Sequence, residues 1–352
     1  MTESAITGAP TTVRTYKNYG RPLWRRLLIS REAAVIGGLI LVVIVANATV
    51  YRFGTPITLN YLLLDIMPIL FIALPMTLII VTGEIDLSVA STMGLSSVIL
   101  GTLHEGGMPI ELAGIIALIV GTLAGALNGF LVTVVGLPSL AVTIGTLALY
   151  RGLAVGLLGT KAVTEFTEFW TDLAKSKIGD TSIPSVTILF VILAIAFAIL
   201  LHFTPFGRGI FAIGLNDEAA RFSGIRVERT KFILFMLSGV ISALAGIYYT
   251  LRFGTARGDN ATGLELSVIA AVLLGGVSIF GGRGALHGVI AGVLLIGALG
   301  SALRLASITS DVINIITGVL LVLSVVTTGL LAWVQKKRTR SGTPRSAPGT
   351  RP

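Results

Sequence analysis

The sequence predicts an all-α polytopic membrane protein of about ten transmembrane helices, and three observations predict it. Of 352 residues, 54% are hydrophobic and 12% charged. The apolar residues gather in runs of span length, and the mean hydropathy is +0.92. Most of the positive charge falls on the two tails and one loop, which alternating spans place on the same side. A soluble domain is roughly one quarter charged, and a soluble chain of this size could not hide so much apolar surface behind so few charges. A soluble enzyme is therefore excluded. The absence of cysteine excludes a disulfide scaffold, a thiolate metal site and a cysteine nucleophile.

The elements follow in chain order. Residues 1–32 form a polar basic tail with Arg14, Lys17, Arg21, Arg25, Arg26 and Arg31. Its polar lead is long and the run after it is of span length, which does not suit a cleavable signal. The transmembrane domain is expected over 33–334, with apolar runs at 33–50, 62–81, 85–103, 110–135, 138–158, 183–203, 232–250, 265–280, 285–303 and 312–334. Pro68, Pro75, Gly94 and Pro138 interrupt several of them, which a membrane tolerates where neighbouring protein re-satisfies the backbone. The run at 265–280 is short for a full span. Residues 335–352 are basic and rich in Ser, Pro, Gly and Thr, the composition of a disordered tail.

Charge sets the orientation. With a cytoplasmic N-terminus and ten alternating spans, the inner segments hold 18 of the 26 basic residues and the outer ones 7, with Arg151 inside a span. This is the positive-inside pattern, and it places both termini in the cytoplasm. The net charge of +9 thus belongs to two tails and one loop, where it suits retention and anionic membrane lipid rather than nucleic acid. Eight spans would keep the same parity. Asp86-Leu87-Ser88-Val89 opens the third run and Glu265-Leu266-Ser267-Val268 the eighth. In a five-plus-five inverted repeat these would be equivalent positions on opposite sides; chance in a Leu/Ser/Val-rich chain is the competing reading.

The polar island at 204–231 is the most informative segment. Asn216 reads as an N-cap, Asp217 and Glu218 as first-turn acids, and Gly224 as the stop of a short cytoplasmic helix, with Phe222 and Ile225 available for burial. Such a helix suits either a docking knob for a soluble partner or an ordinary amphipathic connector.

Polar residues recur at helical spacing inside the spans. The third carries Ser88, Ser91, Thr92 and Ser96; the fourth Asn128; the fifth Ser139, Thr143, Thr146 and Tyr150; the seventh Ser238, Ser242 and Tyr249. An uncharged solute exchanging water for hydroxyl and amide partners needs such stripes. Self-satisfaction to the carbonyl one turn back, or bonding to another helix, is the alternative use. Intramembrane charges are few and costly: Asp65, Arg151, Glu84 and Asp86. Asp86 can cap the third helix, fix a gate or touch substrate. Arg151 can snorkel outward or pair with Asp65. Gly121, Gly125 and Gly129, like Gly288 and Gly292, recur every fourth residue and read as close helix packing. The three histidines show no metal spacing, and Gly-x-Ser-x-Gly is absent.

Several of these segments resemble known signatures. Glu218-Ala219-Ala220-x-x-x-Gly224 resembles the docking-loop signature of ATP-binding-cassette importer permeases, without the Ile-x-Leu-Pro of the maltose type. Gly83-Glu84-Ile85-Asp86-Leu87-Ser88-Val89, the stretch from Pro138 through Tyr150-Arg151-Gly152, and Leu274–Gly284 resemble the ribose-type monosaccharide permeases, and the Tyr150-Arg151-Gly152 run resembles most the branch carrying autoinducer-2 and rhamnose. Glu84 and Ala90 stand where that family usually has glycine. The resemblance covers about 33–334 and implies a permease of the bacterial inner membrane, paired with a second copy or paralogue. It would work with an ATPase subunit, which binds ATP and Mg, and with a sugar-binding protein. It implies coupling to the ATPase through Arg208, Asn216, Asp217, Glu218, Ala219, Ala220, Arg221 and Gly224. The pathway or gate is expected at Asp86, Ser88, Thr92, Asn128, Ser139, Thr143, Thr146 and Tyr150. The chain itself has no phosphate-binding loop of the Gly-x-x-x-x-Gly-Lys type, so it is expected to be no enzyme and to bind no cofactor. The rival reading is an ion-coupled secondary transporter of a small polar solute. That would want a mid-membrane coupling carboxylate and would have no use for the docking helix. An intramembrane enzyme would need a constellation of acids, histidines or nucleophile that is not evident.

Overall fold

A computed structural model describes residues 31–320 together with Val322, Leu323 and Val326. Both expected tails, apart from Arg31 and Glu32, and most of 321–334 lie outside the described residues. Among the described residues the regular structure is helical, with two isolated bridges, Val163 to Ala256 and Lys177 to Pro184. In chain order the helices are α1 (Arg31–Thr49), α2 (Pro56–Val81), α3 (Val89–Glu105), α4 (Ile110–Thr133), α5 (Ser139–Leu158), α6 (Glu168–Lys175) and α7 (Val186–Phe203). Then come α8 (Pro205–Leu215), α9 (Asp217–Phe222), α10 (Val227–Phe253), α11 (Leu264–Leu274), α12 (Leu286–Leu305) and α13 (Ser310–Leu320).

Nine of the ten apolar runs hold a helix over most of their length, the eighth only as far as Leu274, and of the tenth only the start of a helix lies among the described residues. Among the described residues seven helices, α1, α2, α4, α5, α7, α10 and α12, are long and apolar enough to cross a membrane, α11 is shorter, and α13 is described only as far as Leu320. The 17-residue α3 carries Ser91, Thr92, Ser96, Ser97 and Thr102 and is covered by protein along most of its length. This is a polytopic helical membrane protein. Its outer surface says the same: Ile188, Ile192, Ile195 and Ile199 form an exposed apolar stripe down α7. A stripe at that spacing turned outward is inverted relative to a water-soluble helix.

Several boundaries differ from the sequence reading: α3 begins at Val89, α10 begins five residues before its apolar run, at Val227, and α11 stops at Leu274. The second run begins six residues earlier than its apolar stretch, because Thr55 accepts from the Thr58 amide and Pro56 takes the first helical position. α2 then runs through Pro68 and Pro75 without ending, and the carbonyl of Leu64, which Pro68 cannot serve, accepts from the Tyr248 hydroxyl at 3.0 Å. The island at 204–231 holds two helices rather than one. Thr204 caps α8 through the Gly207 amide, with Pro205 following, and Asn216 in extended conformation breaks α8 from α9.

The interior is built on α2, α3, α4 and α10, with α3 contacted by α10, α5 and α4. Glycine governs the closest approach. A Cβ on Gly125 of α4 would stand 2.3 Å from the Phe235 carbonyl oxygen of α10, and one on Gly239 would stand 2.1 Å from that of Gly121. Gly129 lies against Phe232, and Gly288 and Gly292 of α12 lie against Gly275 and Ala271. The fourth-residue glycine pattern is therefore packing of backbone on backbone.

The two ends of the bundle are distinct. At one end the 82–88 loop, α8–α9 and the 275–284 loop meet: the Gly282 amide donates to the Val81 carbonyl at 2.8 Å, and Gly214 fits between them. At the other, 159–182 pairs with 254–263 through Val163 and Ala256, and Trp170 of α6 donates to Glu111 at 2.9 Å.

Candidate coupling and gating site

The glycine-lined junction brings together three stretches that the sequence reading singled out separately. A Cβ on Gly214, near the end of α8, would fall 1.8 Å from the Val81 oxygen and 2.4 Å from the Gly282 nitrogen. Gly281 and Gly282 have φ of +79° and +71°, and Gly276 has +95°. This conformation is easy for glycine, and it folds 275–284 into a tight turn closed by Ser278 N to Arg283 O at 2.9 Å.

Beside this junction stands α9. Asn216 caps it, its Oδ1 accepting from the Ala219 amide at 2.8 Å, and Asp217 and Glu218 occupy the first turn. At its C-terminal end the Ile225 amide donates to Ala220 O and the Gly224 amide to Arg221 O, with Gly224 at φ +82°. Ile213, Ala220 and Val227 form a small core with Ile225 packed on it. That core fixes α9 against α8 and α10. Phe222 departs from the expected burial: it is 92% exposed. Ala220 alone of α9 is buried, so the helix turns Glu218, Ala219, Arg221 and Phe222 outward, with Arg208 of α8 also exposed. Leu215 and Phe280 are exposed at the same end. An apolar group set among charges on a rigid helix is a surface to which another protein can dock.

Inward from α9 lies an ionic group. Lys231 of α10 places Nζ 2.6 Å from Asp217 Oδ2 and 2.7 Å from Glu84 Oε1. Two residues beyond Glu84, Asp86 is the charged side chain among the buried described residues, at 2% exposure. Its Oδ1 accepts from the Ser88 amide at 2.9 Å and the Ser88 hydroxyl at 2.7 Å, and its Oδ2 from the Ser238 hydroxyl at 2.8 Å. Asn128 Nδ2 of α4 donates to Ser88 Oγ at 2.8 Å. Burying a carboxylate is tolerable because these donors replace water. α5 closes the other side: Ser139 Oγ accepts from the Ile85 amide at 3.2 Å and the Thr143 hydroxyl donates to Ile85 O at 3.3 Å.

Five expected gate or pathway residues, Asp86, Ser88, Asn128, Ser139 and Thr143, thus surround one loop. Thr92, Thr146 and Tyr150 stand further along and are buried too. Thr146 donates to Val142 O at 3.1 Å and Tyr150 to Ala124 O at 2.8 Å. Asp86 does not cap α3 in the usual sense: Ser88 is the N-cap, and Asp86 folds the turn before it. Arg151 does not pair with Asp65 but reaches toward the 254–263 segment. Its Nη1 donates to Asn260 O at 2.6 Å and Gly258 O at 3.0 Å, while Asp65 faces Arg252 at 3.6 Å and Arg304 at 3.9 Å.

Lys231 was legible only as one more positive charge. Its signal was a lone lysine at the entry to an apolar span, with Glu84 standing where the resembled motif has glycine. Ser238 was visible as a polar stripe, but its partner lies 152 residues away.

A multi-helix membrane bundle with a braced polar loop inside and a rigid helical surface at one end has the build of a transport permease. Comparison with known proteins makes that particular: residues 58–325 match the family described as branched-chain amino acid transport system / permease component, and the chain belongs to it. It is the transmembrane permease subunit of an importer of the ATP-binding-cassette class. It is similar to the autoinducer 2 import system permease protein LsrD of Yersinia enterocolitica, 34% identical over 287 residues, covering 78% of this chain and 86% of that one. The protein of that name from Photorhabdus luminescens is 35% identical over 277 residues, covering 76% and 83%. That from Salmonella paratyphi A is 34% identical over 303 residues, covering 80% and 91%. No solved structure matches significantly.

Proposed function

We propose that this chain, with a second copy or paralogue, forms the pathway by which a small polyhydroxyl solute of the monosaccharide or autoinducer-2 kind enters a bacterial cell across the inner membrane. An ATPase subunit, holding the ATP and Mg, docks on α8–α9 through Glu218, Arg221 and Phe222. A solute-binding protein docks at the opposite end on 159–182 and 254–263. Both termini face the cytoplasm, in keeping with the positive-inside count.

The observation that carries the reading is the convergence of the exposed docking helix, the 82–88 loop and the 275–284 turn at one glycine-lined junction. A push on α9 there reaches the loop that holds Asp86. Alternating access follows from the movement of that loop against α4, α5 and α10, each of which grips it by a hydroxyl or amide. An amino acid needs partners for an ammonium and a carboxylate. The buried charge near the gate, Asp86, is already held by three donors, and the buried groups around it are hydroxyls and amides.

The test is reconstitution in liposomes with the ATPase and the binding protein. Uptake is expected to need internal ATP and external binding protein. Uptake by this chain alone under a proton or sodium gradient would place it among secondary transporters. Thermal shift of the binding protein across sugars, autoinducer-2 and branched-chain amino acids identifies the solute.

A further inference from the structure

We infer that Lys231 is the positioning residue that transmits movement of the docking helix to the Asp86 loop. The inference rests on the reading of α9 as the ATPase-docking helix and goes beyond it by naming the link.

One ammonium is shared between two elements. Lys231 Nζ lies 2.6 Å from Asp217, the first residue of α9, and 2.7 Å from Glu84, two residues before Asp86. The lysine is 11% and Glu84 18% exposed, so water screens that side of the pairing weakly, while Asp217, at 43%, is the more solvated end. This distinguishes it from Arg221 and Glu228, 2.5 Å apart but largely exposed, a kind of pair that contributes little. Seven residues along α10, two turns further on the same face, Ser238 donates to Asp86 at 2.8 Å. α10 therefore grips the 82–88 loop through two of its residues, Lys231 on Glu84 and Ser238 on Asp86, and grips α9 through Lys231 as well. Displacing α9 pulls on Lys231, and the shared ammonium passes that pull to Glu84. Without the cation, Asp217 and Glu84 face each other as two acids, and the attraction holding α9 to the loop becomes repulsion.

The test uses the complete complex with its ATPase and binding protein, reading uptake and ATP hydrolysis in the same liposomes. Lys231→Met is expected to keep the ATPase bound and hydrolysing, while solute imported per ATP falls at least tenfold. Lys231→Arg, which keeps the charge, is expected to restore at least half. Glu84→Gln breaks only the loop side and is expected to uncouple in the same direction, so it decides the matter if Lys231→Met fails to insert. Normal uptake per ATP in Lys231→Met, or in Glu84→Gln where that variant decides, would overturn the inference. So would loss of the ATPase from a properly inserted variant, since Lys231 would then serve docking alone. Glu218→Ala separates the two readings. If it uncouples while Lys231→Met does not, the link fails and the docking helix stands. If neither has an effect, the docking reading itself fails.

Discussion

Ser238 of α10 donates its hydroxyl to Asp86 Oδ2 at 2.8 Å, tying the turn before α3 to a helix 152 residues away. Ser88 supplies the other two donors, so the carboxylate is an acceptor for three groups. Asp86→Ala leaves all three without it. Hydrogen bonds to a charged acceptor contribute about 1.5–3 kcal/mol each, and stranded buried donors cost about 1–3 kcal/mol. Asp86→Ala is expected to lose at least that smaller amount, seen as a lower unfolding midpoint in detergent. Asp86→Asn keeps one acceptor oxygen and is expected to lose less. Equal midpoints for all three proteins would mean that the node does not brace the loop.

Phe222 offers a prediction of the opposite kind. At 92% exposure its replacement should barely touch the fold, within about 0.5 kcal/mol as for other surface changes. Phe222→Asp is expected to insert and unfold like the parent while retaining the ATPase at least tenfold less well on co-purification. Undiminished retention would remove Phe222 from the docking surface.

The helix packing makes a paired prediction within α4. Gly125 and Gly114 lie on the same helix, yet a Cβ at Gly125 meets the Phe235 oxygen at 2.3 Å while one at Gly114 meets nothing within 4 Å. Gly125→Ala forces α4 and α10 apart, and overpacking of this sort costs about 1–3 kcal/mol. Gly114→Ala should be neutral or slightly stabilising, since alanine loses less backbone freedom than glycine in a helix. Unfolding midpoints of the two variants check the contrast.

Much of this was legible in the chain because lipid and packing write strong periodic signals. The ten apolar runs, the Asn216 cap, the Gly224 stop and the Gly121-Gly125-Gly129 seam all rest on local rules. α8 was missed because Gly207, Gly209 and Gly214 give it the look of a loop. At Gly207 and Gly214 close backbone contacts require the glycine, a need that sequence cannot display. The start of α2 was missed because Thr58 and Asn60 dilute its first turns, although Thr55-Pro56 carried the signal. Phe222 was expected to be buried because it is apolar, but its direction depends on which face of a six-residue helix meets the Ile213 core. Lys231, Glu84 and Asp217 are far apart in sequence, or in different elements, and their charges meet only once α10 has packed. Arg151 found backbone carbonyls at Gly258 and Asn260, partners that every residue offers and no motif marks.

The chain contains no cysteine, which makes a direct test of the docking face simple. Phe222→Cys places a unique thiol on α9, and Phe169→Cys places one on α6 at the other end, where Phe169 is 65% exposed. Each variant, assembled with the ATPase and the binding protein, is treated with a short thiol-to-amine cross-linker. The expected result is cross-linking of position 222 to the ATPase and of position 169 to the binding protein alone. Cross-linking of position 169 to the ATPase, with position 222 left unreacted, would contradict the assignment of α9 as the surface through which ATP hydrolysis reaches the gate.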